Sequence, residues 1–111
     1  MHLGDFEQLL LFAVLRLDEE AHGAAICEEL EARAGRVVSP GAAYTALDRL
    51  EQRGFVTSWI GEGTPARGGR RRRYYRILPE GARALRASYD TVRHMAAGLG
   101  ARMDALAERS S

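Results

Sequence analysis

Arg67, Arg70, Arg71, Arg72, Arg73 and Arg76 lie together between Thr64 and Pro79, and no acidic residue interrupts them. A guanidinium stays charged at any physiological pH, and its planar fork of donors matches phosphate oxygens. The chain has 16 basic and 15 acidic residues, a formal net charge of +1, and no lysine. Without those six arginines the remainder carries 10 basic against 15 acidic residues, a net of −5. This is an acidic body with one basic projection, and such a projection attracts polyanions.

Other chemistry is thin. Cys27 is the sole cysteine, which excludes an internal disulfide and a cysteine-rich zinc site. His22 and His94 have no companions at metal-ligand spacing. There is no nucleophile with a base at suggestive spacing, no phosphate-binding loop and no acid pair, so neither enzymatic activity nor a cofactor or metal is expected. The apolar run Leu9–Leu15 is too short to span a bilayer. It follows Asp5 and Glu7 rather than a basic segment, unlike a secretory signal. The expectation is a cytoplasmic protein with no membrane partner. At 111 residues the core is modest, and oligomerisation would help it.

The elements that must carry the arginines begin with Ser39–Gly54 (SPGAAYTALDRLEQRG). Ser39 suits a helix cap, Pro40 the first helical position and Gly54 a left-handed stop. Ala43, Leu47 and Leu50 form a narrow apolar stripe, and Gly41, Ala42, Thr45, Arg49, Gln52 and Arg53 lie opposite. The first turn of that outer face lacks bulk, so its backbone can approach something large. A DNA-reading helix presents its N-terminal end to base edges and its N–H groups to phosphate.

Upstream, Asp5 can cap a helix to about Leu17, with Phe6, Leu9, Leu10, Ala13, Val14 and Leu17 on one stripe. Leu11, Phe12 and Leu15 add a second apolar face that points to a partner chain. A second helix, roughly His22–Ala34, turns Glu28, Glu29 and Glu31 outward and is therefore not the reading helix. Two helices joined by the Gly35–Val38 connection give a helix-turn-helix outline. Downstream, Phe55–Ile60 and Arg72–Leu78 read as strands around the flexible Gly61–Gly69 loop, a hairpin with an arginine-bearing tip. A hairpin there is the wing of a winged helix.

From about Pro79 to Arg109, Ala82, Leu85, Tyr89, Val92, Ala96, Leu99, Met103 and Leu106 alternate steps of three and four. That is a coiled-coil-like seam, too long for the small body to absorb, and its natural outlet is a homodimer. Gly98 and Gly100 predict a bend. Met1–Gly4 should be loose, and Ser110 and Ser111 should fray. The fold class is mostly α with a small β-hairpin: a winged helix-turn-helix DNA-binding domain over residues 1–78 and a long C-terminal dimerisation helix over 79–111.

The chain resembles the PadR family of bacterial transcriptional regulators. The residues that carry the resemblance are Ser39-Pro40-Gly41, Tyr44, Leu47 through Gly54, Gly68-Gly69-Arg70, Arg73 through Ile77 and Glu80-Gly81. Glu7–Leu17 and His22-Gly23 also match, and the single C-terminal helix suits the short subgroup. The departures are Ala42-Ala43 and Thr45 in the helix, and Leu78-Pro79 where a capping Thr is usual. The resemblance implies a dimeric winged-helix repressor on a pseudo-palindromic operator in double-stranded DNA. Some relatives respond to phenolic compounds or hydrophobic drugs, so a small hydrophobic effector is a further expectation.

The expected DNA-facing residues are Ser39, Gly41, Ala42, Tyr44 and Thr45, with Arg49 and Arg53 on phosphate. Tyr44 can equally pack in the core with its hydroxyl tied locally. Arg67, Arg70, Arg71 and Arg72 form the wing set. The expected dimerisation residues are Leu11, Leu15, Leu85, Tyr89, Val92, Leu99, Met103 and Leu106. Trp59 suits hairpin packing or a ligand cavity between subunits. The alternative function is a winged-helix module whose basic wing serves protein contact or non-specific DNA binding.

Overall fold

A computed structural model describes residues 3–63 and 65–109. The expected fraying of Ser110 and Ser111 falls outside these residues, as do Met1 and His2. In order, the elements are α1 (Asp5–Leu17), α2 (Gly23–Ala34), α3 (Pro40–Gln52), β1 (Val56–Ile60), β2 (Arg73–Ile77), α4 (Pro79–Ala96) and α5 (Gly100–Glu108). Single 3-10 turns occupy Asp18–Glu20 and Pro65–Arg67.

Helix α1 starts at Gly4 rather than being capped by Asp5. The Gly4 N–H donates to Glu7 Oε1 at 2.8 Å, so a side chain inside the helix reaches back to satisfy its entry. Nor is the N-terminal stretch loose throughout, because Leu3 is buried in the core. Helix α2 is capped by His22, whose Nδ1 accepts from Ala25 N at 3.4 Å. It ends on Gly35 in the left-handed conformation, and the Arg36 N–H donates to Leu30 O at 3.2 Å.

The strands pair antiparallel, with Val56 opposite Ile77, Ser58 opposite Tyr75 and Ile60 opposite Arg73. Ala21 and His22 add a short edge that periodicity did not reveal. Tyr75 N donates to Ala21 O at 2.8 Å, and His22 bridges Tyr74. The hairpin is thereby hydrogen-bonded to the entrance of α2.

Leu10, Leu11, Val14, Ile26, Leu47, Leu50, Phe55, Val56 and Tyr75 make up most of the fully buried core, and Leu85 closes it from α4. Two expected dimerisation residues therefore belong to the monomer: Leu11 is 0% exposed and Leu85 3%. The second apolar face of α1 is in part consumed internally by α4.

Pro79 opens α4 from Leu78 without a side-chain cap, as the missing threonine implied. A Cβ at Gly81 would collide with the Phe55 carbonyl oxygen, so only glycine lets α4 start this close to the end of α3. The same oxygen accepts from Leu78 N at 2.8 Å. The C-terminal stretch is two helices rather than one bent rod, and Gly98, at φ +77°, makes the break.

Candidate nucleic-acid interface

Helix α3 buries Ala43, Leu47 and Leu50 completely and exposes Gly41, Ala42, Thr45, Asp48, Arg49 and Gln52. Ser39 Oγ accepts from Ala42 N at 3.1 Å and caps the helix while remaining exposed. Its last turn closes through Phe55 N to Leu50 O at 2.9 Å, with Gly54 at φ +80° between them. Among the described residues no ion pair holds Arg49. Its charge stands on the outer face.

Side chains beyond the buried stripe also fix α3 to the rest of the molecule. Tyr44 rests on Gly23 at the start of α2, so tightly that a Cβ on residue 23 would overlap its hydroxyl. Tyr44 is still 38% exposed, so it packs against α2 while keeping one edge open to solvent. Glu51 accepts from Ser58 Oγ at 2.9 Å, and Arg73 Nε donates to the same oxygen at 3.2 Å. This series of bonds ties α3 to both strands of the hairpin.

Arg53, expected on phosphate, serves the fold. Its Nη1 donates to Glu7 Oε2 at 3.0 Å, and its guanidinium lies 4.6 Å from the Phe55 ring centroid. The salt bridge clamps α3 to α1. Nothing in the local spacing of α3 could reveal a partner 46 positions upstream.

The wing divides its arginines. Arg71 is exposed and Arg72 half-buried. Arg67 is half-buried and turned inward: its Nη2 donates to Glu62 O at 2.6 Å and its Nε to Arg70 O at 3.3 Å. Arg70 Nε donates in return to Arg67 O at 2.9 Å. Glycine is required where the loop crosses itself, since a Cβ at Gly63 would collide with the Gly69 carbonyl.

Near the loop end of the strands, Trp59 stacks on Tyr74 with centroids 5.9 Å apart, and Arg76 covers the indole at 5.0 Å. Trp59 is thus packed on the hairpin. The His22 ring meets Tyr74 edge-on at 5.6 Å. Burial holds the His22 pKa below its ordinary 6.5, and Arg72 lowers it further, against Glu20 and Glu28. Tyr75 is buried beneath these elements. Among the described residues its hydroxyl finds no hydrogen-bond partner, and burial above all pushes its pKa up to about 12.

The rest of the expected seam stays open. Leu15, Tyr89, Val92, Leu99, Met103 and Leu106 are all exposed, and Met95 joins them. Phe12, Leu15, Ala82, Leu85, Arg86 and Tyr89 line a groove of about 360 Å³ between α1 and α4. Among the described residues there is no cluster of metal ligands, and no helix is long and apolar enough to cross a membrane.

Comparison with known proteins agrees with this architecture. Residues 11–87 match the model of the PadR-like family of transcriptional regulators. A curated relative, "Transcriptional regulator Rv3488" of Mycobacterium tuberculosis (strain ATCC 25618 / H37Rv), is 44% identical over 68 residues. That match spans 61% of this chain and 59% of the relative's length. A PadR family regulator from Eggerthella lenta DSM 2243 superposes with a TM-score of 0.66 at 29% identity, over 86% of this chain and 81% of that one. A transcriptional regulator from Clostridium thermocellum gives 0.64 at 26% identity, over 80% and 83%. The family's model covers most of the chain, and the solved relatives share its winged-helix fold: the chain belongs to the PadR-like family of transcriptional regulators.

Proposed function

We propose that this regulator is a homodimeric repressor that reads a pseudo-palindromic operator in double-stranded DNA. The observation that supports it most is the outer face of α3. Its first turn is capped, solvent-facing and free of bulk, and the helix is fastened to an arginine-bearing wing through Glu51, Ser58 and Arg73. Such a turn lets backbone N–H groups and short side chains reach a groove.

In this reading Ser39, Gly41, Ala42 and Thr45 face the bases, with the Tyr44 edge beside them. Arg49, Arg70, Arg71 and Arg72 take phosphate. Residues 1–78 form the DNA-binding part and 79–111 the dimerisation part. The exposed apolar residues of α4 and α5, with Leu15, meet their copies in the partner, because an apolar run of this extent marks an interaction surface. The groove between α1 and α4 has the size and lining that suit a small hydrophobic effector.

The test is fluorescence anisotropy on a duplex from the protein's own upstream region, beside a scrambled duplex, across a salt series. Preference for the native duplex that persists as salt rises is the expected result. Equal, salt-labile binding to both would replace operator reading with a basic wing on any polyanion.

A further inference from the structure

We propose that Arg67 does not grip phosphate but laces the wing tip, so that Arg71 and Arg72 are presented as a preset pair. The inference rests on the DNA-binding reading given above. Its basis is the disposition of the guanidinium. Arg67 Nη2 and Nε span two backbone carbonyls, Glu62 O and Arg70 O, on opposite sides of the loop. Arg70 Nε returns a bond to Arg67 O, and Arg70 N donates to that oxygen as well, at 3.2 Å. Gly68 N donates to Pro65 O at 3.0 Å, closing the turn from within.

Gly68 and Gly69 both have positive φ, +65° and +79°. A loop with this much glycine loses considerable backbone freedom on ordering and needs a compensating tie. The planar guanidinium supplies it, because its donors diverge in fixed directions toward two acceptors; a lysine ammonium lacks that geometry. Arg67 is therefore a positioning residue. It reduces the ordering that the wing would otherwise undergo on DNA, which is how preorganisation raises affinity.

The experiment compares Arg67→Lys, Arg67→Gln and Arg71→Gln in the full chain. Amide hydrogen exchange is followed at Gly68 and Arg70 in the free protein, and salt-dependent anisotropy on the native upstream duplex. Both Arg67 variants should exchange faster at these amides. Both should bind about tenfold more weakly, with a nearly unchanged salt slope, as expected from lost loop order. Arg71→Gln should leave exchange alone and flatten the slope by about 0.9, the increment of one phosphate contact. A slope lowered by Arg67→Gln and restored by Arg67→Lys, with exchange unmoved, would overturn the inference in favour of direct phosphate contact. Exchange unaltered in both Arg67 variants would overturn it on the free protein alone. If the wild-type chain ignores DNA altogether, operator reading fails, and the exchange comparison still decides whether Arg67 laces the loop.

Discussion

The ring of Tyr44 lies where a side chain at residue 23 would otherwise stand. Glycine at the first position of α2 is the condition for Tyr44 of α3 to pack there, and the contact sets how the two helices meet. Gly23→Ala should cost about 1–3 kcal/mol, the usual range for overpacking. Urea unfolding measures it. In a Tyr44→Ala background the same substitution should cost at least about 1 kcal/mol less, since the two residues touch. Additive costs would show that the clash is relieved elsewhere.

Tyr75 carries a hydroxyl into the core without a partner. An unpaired buried donor costs more than its absence, so Tyr75→Phe should be neutral or stabilise by about 1 kcal/mol. Denaturant midpoints of the two proteins decide this. A loss of more than about 1 kcal/mol would mean that the hydroxyl is satisfied in solution.

His22 caps α2 with a neutral ring nitrogen, and its folded pKa is below 6.5. The unfolded chain therefore binds the proton first as pH falls. The contribution of His22 to stability is complete above about 6.5, the unfolded value, and is lost as pH drops from there through the folded value. His22→Asn keeps a capping side chain that does not titrate. Between pH 7.5 and 5 the melting temperature of the wild type should fall further than that of the variant. Parallel pH profiles would remove His22 from the acid response.

For the proposed dimer the informative position is Val92. It is 58% exposed on the last part of α4, so an aspartate there leaves the monomer core intact. Val92→Asp should weaken dimerisation by about a hundredfold, the effect of burying an unpaired charge. Sedimentation would then find monomer at concentrations where the wild type associates, with unchanged far-UV circular dichroism. A surviving dimer would move the interface elsewhere. Leu85→Asp is uninformative, because Leu85 is part of the core.

What could be read from the sequence is local. Ser39, Pro40 and Gly54 announce the ends of α3 because capping and left-handed stops depend on neighbours a few residues apart. The Ala43, Leu47 and Leu50 stripe and the two wing strands are legible for the same reason. Leu11 and Leu85 are not: periodicity marks a side chain as apolar, and burial by its own chain or by a partner gives the same pattern. The internal partners of Arg53 and Arg67 are not legible either, because a charged residue looks available until its acceptor is found. For Arg53 that acceptor is in α1, and for Arg67 it is backbone that composition cannot display.

The junction at Gly81 has a mechanical consequence. The first turn of α4 bears directly on the Phe55 carbonyl, with no room for slack, and Leu78 is bonded to the same atom. Helix α4 is 18 residues long, roughly 27 Å at the usual rise, and is rooted on the segment that follows α3. A tilt of about 5° at that root displaces the far end by about 2 Å over this length.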